Sequence, residues 1–378
     1  MRFAAGKPFR ILSATTVALV AVAVVSACSS SDSAPSPTSS GSTAASQSNS
    51  ISLAILEPND GVGPVVDFIR SAKHTVDIAI YEFDPEYKEL VEPLLQAQQS
   101  GIKVRILLSR KLFDPGSKNK NIAAAAKFRS MGLDAQLSRP EFSYSHEKAV
   151  IADAGTPQAR ALVCDFNFQP GYFGLKSVES KDGGTRGMAV VDSDPADVVD
   201  IAATFNADWP PYGEWPAATR PNLVWSPSAP QFQPPGNSAS ALTGLIAGAK
   251  KSIDIYALQI ALPSVMYQPL LTKARAGIPV RIVTNEGGVD STAGKELAAA
   301  GVKFQYRPTT PGRESSVMFI HSKTVLVDAG APSATAFVGS QNPFLQQSLE
   351  TERELGTLVT DAPSLERISA TFQRDFAS

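Results

Sequence analysis

The chain has 378 residues, of which 43% are hydrophobic and 19% charged, and its 34 basic and 36 acidic side chains give a formal net charge of −2. This composition predicts a globular protein with a large buried core and, from its length, about two domains. Two cysteines and three histidines exclude a disulfide scaffold and the common zinc, iron–sulfur and HExxH sites, so we expect chemistry without a metal or cofactor. The near-neutral charge balance disfavours a protein that coats DNA or RNA.

The first 50 residues have the composition of a targeting segment. Residues 1–27 contain three basic residues, then an apolar run and a small-residue ending before Cys28, which predicts a signal peptide. That ending resembles the bacterial lipobox, so Cys28 is the predicted lipidation site, with an ordinary secretory signal as the alternative. Residues 28–50, rich in Ser, Thr, Ala and Pro, predict a flexible tether. Removing the three basic groups changes the net charge from −2 to −5, and we expect this mature chain outside the cytoplasm, anchored to the membrane by lipid.

The rest of the chain contains one unit twice. Residues 72–78 (AKHTVDI) match residues 249–255 (AKKSIDI), and residues 101–106 (GIKVRI) match residues 277–282 (GIPVRI) in the same order. Helical stretches alternate with β-branched strands in both units, which predicts an α/β fold with sheets covered by helices. We predict two duplicated halves, residues 51–212 and 213–378, related by a pseudo-two-fold axis that brings equivalent loops into one cleft, and we expect a monomer.

A duplicated motif carries the candidate chemistry. The pattern HxKxxxxD occurs twice, 175 residues apart, at His146, Lys148 and Asp153 and at His321, Lys323 and Asp328. Residues i and i+2 of a strand face the same side, so each histidine points with its lysine. Two such pairs facing each other suit a phosphorus centre: one imidazole attacks phosphorus, the other protonates the leaving oxygen, and the lysines stabilise the equatorial oxygens.

This duplicated motif is the hallmark of the phospholipase D superfamily, which residues 51–378 resemble throughout. The resemblance implies two α/β sandwich halves, each with a mixed sheet flanked by helices, and a phosphodiesterase whose catalytic residues are the histidine, lysine and aspartate of both motifs. It implies that His146 is the nucleophile and His321 the general acid. The greater number of carboxylates following His321 leaves the reverse order open. Asp153 and Asp328, each followed by Ala-Gly, either begin turns or support the active site.

The second copy also contains the family's GSxN element, at Gly339 to Asn342. The resemblance implies that Ser340 and Asn342 bind the substrate phosphate. Glu352 and Glu354 stand where family members often place a carboxylate that orients the histidine.

The first copy departs from this pattern. Asn167 is kept and is expected to bind phosphate, but Cys164 and Asp165 replace the glycine and serine, and Thr185-Arg186-Gly187 lacks both carboxylates. Either Asp165 replaces the missing groups as a histidine-orienting residue, directed at His146 or elsewhere, or this half binds phosphate less tightly.

The leading functional expectation is phospholipid hydrolysis to phosphatidate and a head-group alcohol, because a lipid-anchored enzyme meets phospholipid at high local concentration. The same site also suits a secreted nuclease, with nucleic acid as substrate only, or a phosphatidyl transferase. A binding module that has lost catalysis is the alternative from a different class, and the altered first copy supports it.

Overall fold

The computed structural model describes residues 50–113, 120–174, 184–216, 220–234, 236–308 and 318–378. The predicted signal peptide, the lipidation site Cys28 and the tether up to residue 49 lie outside the described residues. Within the described part of the chain, no helix has the length and apolar character needed to cross a membrane.

The two halves have the same order of helices and strands, except that the second half has an additional short strand (Phe319–Ile320) and a short α-helix (Gln346–Glu350) in place of the 3-10 helix. The first half consists of β1 (Ile51–Glu57), α1 (Gly63–Ser71), β2 (Thr75–Ile80), α2 (Lys88–Gln99), β3 (Lys103–Leu108), α3 (Lys120–Ser130), β4 (Asp134–Leu137), β5 (Lys148–Ala152), β6 (Arg160–Cys164), the 3-10 helix Pro170–Tyr172, β7 (Thr185–Asp192) and α4 (Pro195–Asp208). The second half consists of β8 (Leu223–Ser226), α5 (Ser238–Gly248), β9 (Ile253–Ala257), α6 (Tyr267–Arg275), β10 (Val280–Asn285), α7 (Ser291–Ala299), β11 (Lys303–Arg307), β12 (Phe319–Ile320), β13 (Val325–Val327), β14 (Thr335–Gly339), α8 (Gln346–Glu350), β15 (Glu354–Val359) and α9 (Ala362–Ala377).

Each half forms a mixed sheet with the same strand order. The first sheet runs β4-β3-β2-β5-β6-β7-β1, and the second runs β11-β10-β9-β13-β14-β15-β8. The first three strands of each series are parallel and the others antiparallel. The short strand β12 of the second half pairs with β7 of the first sheet. The prediction of a duplicated α/β fold with helix-flanked sheets is therefore confirmed.

Three apolar cores hold these layers together. One core lies between the first sheet and α1 to α3, and another lies between the second sheet and α5 to α7. The central core contains side chains from both sheets together with one face of α4 and one face of α9. Strands buried on both faces read as continuous apolar runs, as in Ala149–Ala152. Since the two halves share this central core, they form one folded unit.

Two buried arginines connect the halves across this core. Arg353 of the second half pairs with Asp208 at the end of α4, with 2.7 Å between Nε and Oδ2. Arg186 of the first half pairs with Asp375 on α9, also at 2.7 Å. Arg186 thus connects β7 to α9 of the second half. Arg353, which directly precedes β15, connects that strand to α4 of the first half. These strands are the ones that contact the histidines.

Candidate active site

His146 is held by residues of the opposite half. Its backbone N–H and that of Glu147 donate to the carbonyl of Arg353, at 2.8 and 2.9 Å. The imidazole Nδ1 lies 2.9 Å from Glu354 Oε2 and 3.9 Å from Glu352 Oε2. The two glutamates therefore orient His146 and do not orient His321. Along the chain, Glu352 is 206 residues and Glu354 is 208 residues from His146. The expectation that carboxylate support lies around His321 is wrong, because the strand that carries the glutamates crosses to the first half's histidine.

His321 has an equivalent backbone position but a different ring environment. The N–H groups of His321 and Ser322 donate to the carbonyl of Arg186, at 3.2 and 2.8 Å. Its ring nitrogens lie 2.9 and 3.2 Å from Lys323 Nζ. The ring also hydrogen bonds to the backbone of Asp165 in the first half. Within the described residues, His321 has no counterpart of the Glu354 contact at His146.

A tyrosine ring lies edge-on against each histidine. The ring centroids of Tyr81 and His146 are 4.8 Å apart, and those of Tyr172 and His321 are 5.0 Å apart. These tyrosines were not among the predicted site residues. The duplication could not have revealed them, because the repeat alignment places Leu258 opposite Tyr81 and Gln347 opposite Tyr172.

The two lysines are fully buried, and this changes their acid–base properties. Burial lowers the pKa of Lys148 to about 8 and that of Lys323 to about 7, and each lysine also has acidic neighbours that oppose this effect. Burial and the positive charges of both lysines lower the pKa of His146 and that of His321 well below 6.5. The pKa of His321 is lowered further by His146, so the four groups act on one another in one site, as the duplicated motif predicts.

Glu352 and Glu354 form a buried carboxyl pair. Burial raises the pKa of Glu354 to about 7, and burial together with the neighbouring charge of Glu354 raises that of Glu352 well above its usual value. Ser348 Oγ donates to the second oxygen of Glu354. In the described part of the chain, His146, Glu352 and Glu354 form the one group with the composition of a metal site, with ligand atoms within 4.8 Å of one another.

Asp153 and Asp328 lie away from the histidines. Asp153 follows β5, five residues beyond Lys148, which corresponds to roughly 16 Å along a strand. Its carboxylate accepts hydrogen bonds from the backbone N–H groups of Lys73, His74 and Thr75. Asp328 makes the equivalent contacts with residues 250–252. Both aspartates have left-handed backbones, with φ of 57° and 55°. The prediction that they are catalytic therefore needs correction: they join a strand end to the turn after a helix.

Ser340 faces its own strand and the glutamate beside it. Its hydroxyl donates to the carbonyl of Leu355 at 3.1 Å, accepts from the N–H of the same residue at 3.2 Å and hydrogen bonds to Glu354. The hydroxyl therefore has protein partners in this structure, and its phosphate-binding role stays a prediction. The backbone of Ser340, in contrast, hydrogen bonds to His146.

The two asparagines have buried side-chain oxygens with no partner among the described residues. Asn167 donates from Nδ2 to the hydroxyl of Tyr172 at 3.2 Å. The N–H of Asn342 donates to Ser348 Oγ. Both asparagines thus lie next to residues that contact a histidine or its glutamate, and their phosphate-binding role stays a prediction.

Asp165 does not orient His146. Its Oδ1 accepts a hydrogen bond from the N–H of Met188 at 2.9 Å, and its carboxyl group also hydrogen bonds to the side chain of Ser322. Its backbone carbonyl lies 3.4 Å from Lys323 Nζ. Asp165 therefore belongs to the half-site of His321.

A cavity of about 590 Å³ opens beside the candidate site. It is lined by Arg110, Lys111, Leu112, Phe113, Ser143, Tyr144 and Gln347. The ring of Tyr144 packs against Tyr81, which contacts His146. The cavity walls combine two cations with the phenyl ring of Phe113, which is 77% exposed.

Comparison with known proteins agrees with this geometry. Residues 65–209 and 242–376 match the family described as "Cardiolipin synthase, PLD-like domain". The chain belongs to this phospholipase D-like family. None of the curated proteins matches the sequence significantly.

Two solved structures share the fold at low sequence identity. Phosphatidylserine synthase from Haemophilus influenzae Rd KW20 is 13% identical, with a TM-score of 0.61 over 86% of this chain and 85% of that one. Polyphosphate kinase from Porphyromonas gingivalis is 17% identical, also with a TM-score of 0.61, over 86% of this chain and 50% of that one. This chain therefore corresponds to about half of the kinase.

Proposed function

We propose that the protein is a phosphodiesterase of the phospholipase D type that hydrolyses phospholipid to phosphatidate and a head-group alcohol. The observation that carries this proposal is the contact of His146 Nδ1 with Glu354 beside the second histidine and the two lysines. A carboxylate at Glu354 accepts a hydrogen bond from the Nδ1–H group, which keeps the proton on Nδ1 and leaves the lone pair of His146 on Nε2. That tautomer is a nucleophile.

The first displacement forms a bond from His146 Nε2 to phosphorus and breaks the bond from phosphorus to the head-group oxygen. His321 donates a proton to that oxygen, so the alcohol leaves neutral. Lys148 and Lys323 balance the charge on the equatorial oxygens. In the second displacement His321 accepts a proton from water, and the water oxygen replaces Nε2 on phosphorus. The anionic substrate raises the pKa of His321, which the buried lysines otherwise hold low.

One observation and two predictions from the sequence support a phospholipid as the substrate. The cavity beside Tyr144 combines Arg110 and Lys111 with the exposed ring of Phe113, which suits a molecule with an anionic and an apolar part. The predicted lipid anchor at Cys28 would hold the protein at a membrane outside the cytoplasm. The predicted mature charge of −5 disfavours a nucleic-acid groove.

Transfer to an alcohol is the second candidate. The description of the matched family and the phosphatidylserine synthase fold both favour it. An alcohol in place of water in the second displacement gives a new phosphodiester by the same steps.

One experiment separates these activities. The purified chain is incubated with phosphatidylcholine in water, with phosphatidylcholine and an excess of glycerol or serine, and with single-stranded DNA, each with and without a chelator. Choline and phosphatidate released in equal amounts with chelator present support the hydrolase. A new phosphatidyl ester supports the transferase, and nucleotide release without choline supports a nuclease. No turnover in any mixture contradicts the proposal.

A further inference from the structure

The half-site of His321 differs from that of His146 at one strand position. In the second sheet, Glu354 begins β15 and reaches His146. Its counterpart in β7 is Gly187, next to Arg186, whose carbonyl binds His321 as Arg353 binds His146. A side chain at position 187 would therefore point towards His321, yet glycine supplies none.

The space beside Gly187 is occupied by a carboxyl group from the neighbouring strand. A Cβ atom at position 187 would lie 2.9 Å from Asp165 Oδ1 and 2.8 Å from the ring of Phe166. A glutamate cannot be added there without displacing these atoms. The first half therefore has the carboxyl group of Asp165 in the space where a glutamate at position 187 would lie.

Asp165 combines the contacts that two residues make in the second half. Its counterpart Ser340 accepts a hydrogen bond from the N–H of Leu355 and also hydrogen bonds to Glu354. Asp165 Oδ1 accepts the equivalent hydrogen bond from the N–H of Met188. The additional oxygen, Oδ2, is completely buried, and the carboxyl group also hydrogen bonds to the side chain of Ser322, next to His321. One aspartate therefore supplies both the serine-like acceptor and a carboxyl oxygen.

A second carboxyl group faces the same space. Glu57 lies directly opposite Gly187 in the antiparallel pair of β1 and β7, so its side chain leaves the sheet on the face where a side chain at 187 would lie. Glu57 is 0% exposed, and its carboxyl group hydrogen bonds to the backbone of Gly61. Besides burial, the neighbouring charges of Asp60 and Asp165 raise its pKa, so the two carboxyl groups of the first half act on each other. The counterpart of Glu57 opposite Glu354 is Ser226. In the first half a glutamate therefore lies opposite the glycine, whereas in the second half a serine lies opposite the glutamate.

We propose that Glu57 and Asp165 form the carboxyl pair of the His321 half-site and act as positioning residues for His321 and Lys323. The proposal rests on the proposed function, since it assigns the pair to the step in which His321 protonates the leaving group. Asp165 is already joined to this half-site, because its carbonyl contacts Lys323 and its backbone binds the His321 ring. Burial raises the pKa of Glu57 to about 8 and that of Asp165 to about 6, so the pair carries about one negative charge at neutral pH.

The test compares two leaving groups. Choline departs as an alkoxide and needs a proton, whereas nitrophenolate does not. We expect Glu57→Gln and Asp165→Asn to lower kcat for phosphatidylcholine by about 10- to 100-fold, part of the range of general acid catalysis. They should lower the pre-steady-state rate of nitrophenolate release from bis(4-nitrophenyl) phosphate by less than about 3-fold, because that first displacement needs no proton from His321. Asp192→Asn is the matched control: it removes a buried carboxyl group at the far end of β7 and should change neither rate. Equal losses on both substrates, or none, would overturn the proposal.

Two further measurements keep the test independent of folding and of activity. Asp165→Ser should reproduce the defect, and adding Gly187→Glu should partly restore the choline reaction by recreating the arrangement of Ser340 and Glu354, with the Phe166 ring displaced. No recovery in a folded double variant counts against the proposal. The imidazole NMR resonances of His321 should shift in Glu57→Gln and in Asp165→Asn, because these side chains position its ring. A wild type that is inactive on every substrate contradicts the proposed function, whereas unchanged His321 resonances contradict the carboxyl pair.

Discussion

His146 of the first half and Glu354 of the second are joined by a hydrogen bond of 2.9 Å that crosses between the two copies of the repeat. We expect Glu354→Gln to lower kcat by about 10²-fold or more, because an amide can present an N–H to Nδ1 and so favour the wrong tautomer. Rates with both leaving groups should fall, since the nucleophile itself is affected. Glu350→Gln, on the neighbouring helix α8, is the control and should leave kcat unchanged. An active Glu354→Gln variant would exclude this contact from the mechanism.

Replacing each histidine should have a different effect on a covalent intermediate. His146→Asn should lower activity by about 10³-fold or more and leave no phosphorus adduct on the protein. His321→Asn should accumulate an adduct on His146 with the nitrophenyl substrate, because the leaving group needs no proton but water still needs a base. Mass spectrometry of rapidly quenched protein detects the adduct. Its appearance on His321 in wild type would reverse the two roles.

Asp153→Asn should reduce stability and not catalysis. The carboxylate of Asp153 accepts hydrogen bonds from three backbone N–H groups, and losing its charge should cost about 1–3 kcal/mol of unfolding free energy. Although burial opposes them, these hydrogen bonds lower the pKa of Asp153. Its contribution is therefore complete above the unfolded pKa of about 3.9 and is lost as the pH falls through the lower folded value.

Urea denaturation at several pH values measures this contribution. The difference between wild type and Asp153→Asn should be constant near neutral pH and shrink below about pH 4. The kcat of the folded variant should equal that of wild type. A large loss of kcat with unchanged stability would restore Asp153 to the catalytic group.

The pH dependence of kcat/KM should show the low pKa values of the buried lysines. Phosphate binding needs ammonium groups, so kcat/KM should fall as the pH rises through about 7 to 8, where Lys323 and Lys148 lose their protons. The decrease should appear mainly in KM. A profile that stays flat to pH 9.5 would show that the free enzyme keeps both lysines charged.

Bound anion should raise the pKa of both active-site histidines. The lysine charges and burial hold these pKa values well below 6.5, and a phosphate ion in the site offsets the lysine charge. NMR titration with and without inorganic phosphate measures the change. If the His146 and His321 resonances do not respond to phosphate, the anion binds elsewhere.

The repeated sequence was sufficient to predict much of the fold and the central groups of the site. The matching segments at residues 72–78 and 249–255 lie at equivalent turns before β2 and β9, and both HxK pairs lie in one site. Spacing alone determines which residues share a strand face. It does not determine which half supplies the partner of a side chain, and for this reason Glu354 was assigned to the wrong histidine.

Other parts of the site depend on contacts that a repeat alignment cannot show. Tyr81 and Tyr172 have no matching residues in the other copy, and Glu57 aligns with a serine. Asp153 and Asp328 belong to the repeated motif, yet the strand carries them away from the histidines. The repeated motif therefore contains residues that stabilise the fold as well as residues that form the site, and the structure is needed to tell these two groups apart.

The crossed contacts make the two copies interdependent. Because Glu354 is carried by the second copy and Asp165 by the first, a substitution fixed in one copy alters the reactivity of the imidazole encoded in the other. A change after the duplication therefore acts on a histidine 156 or 208 residues away, and compensating changes should be sought in the opposite copy.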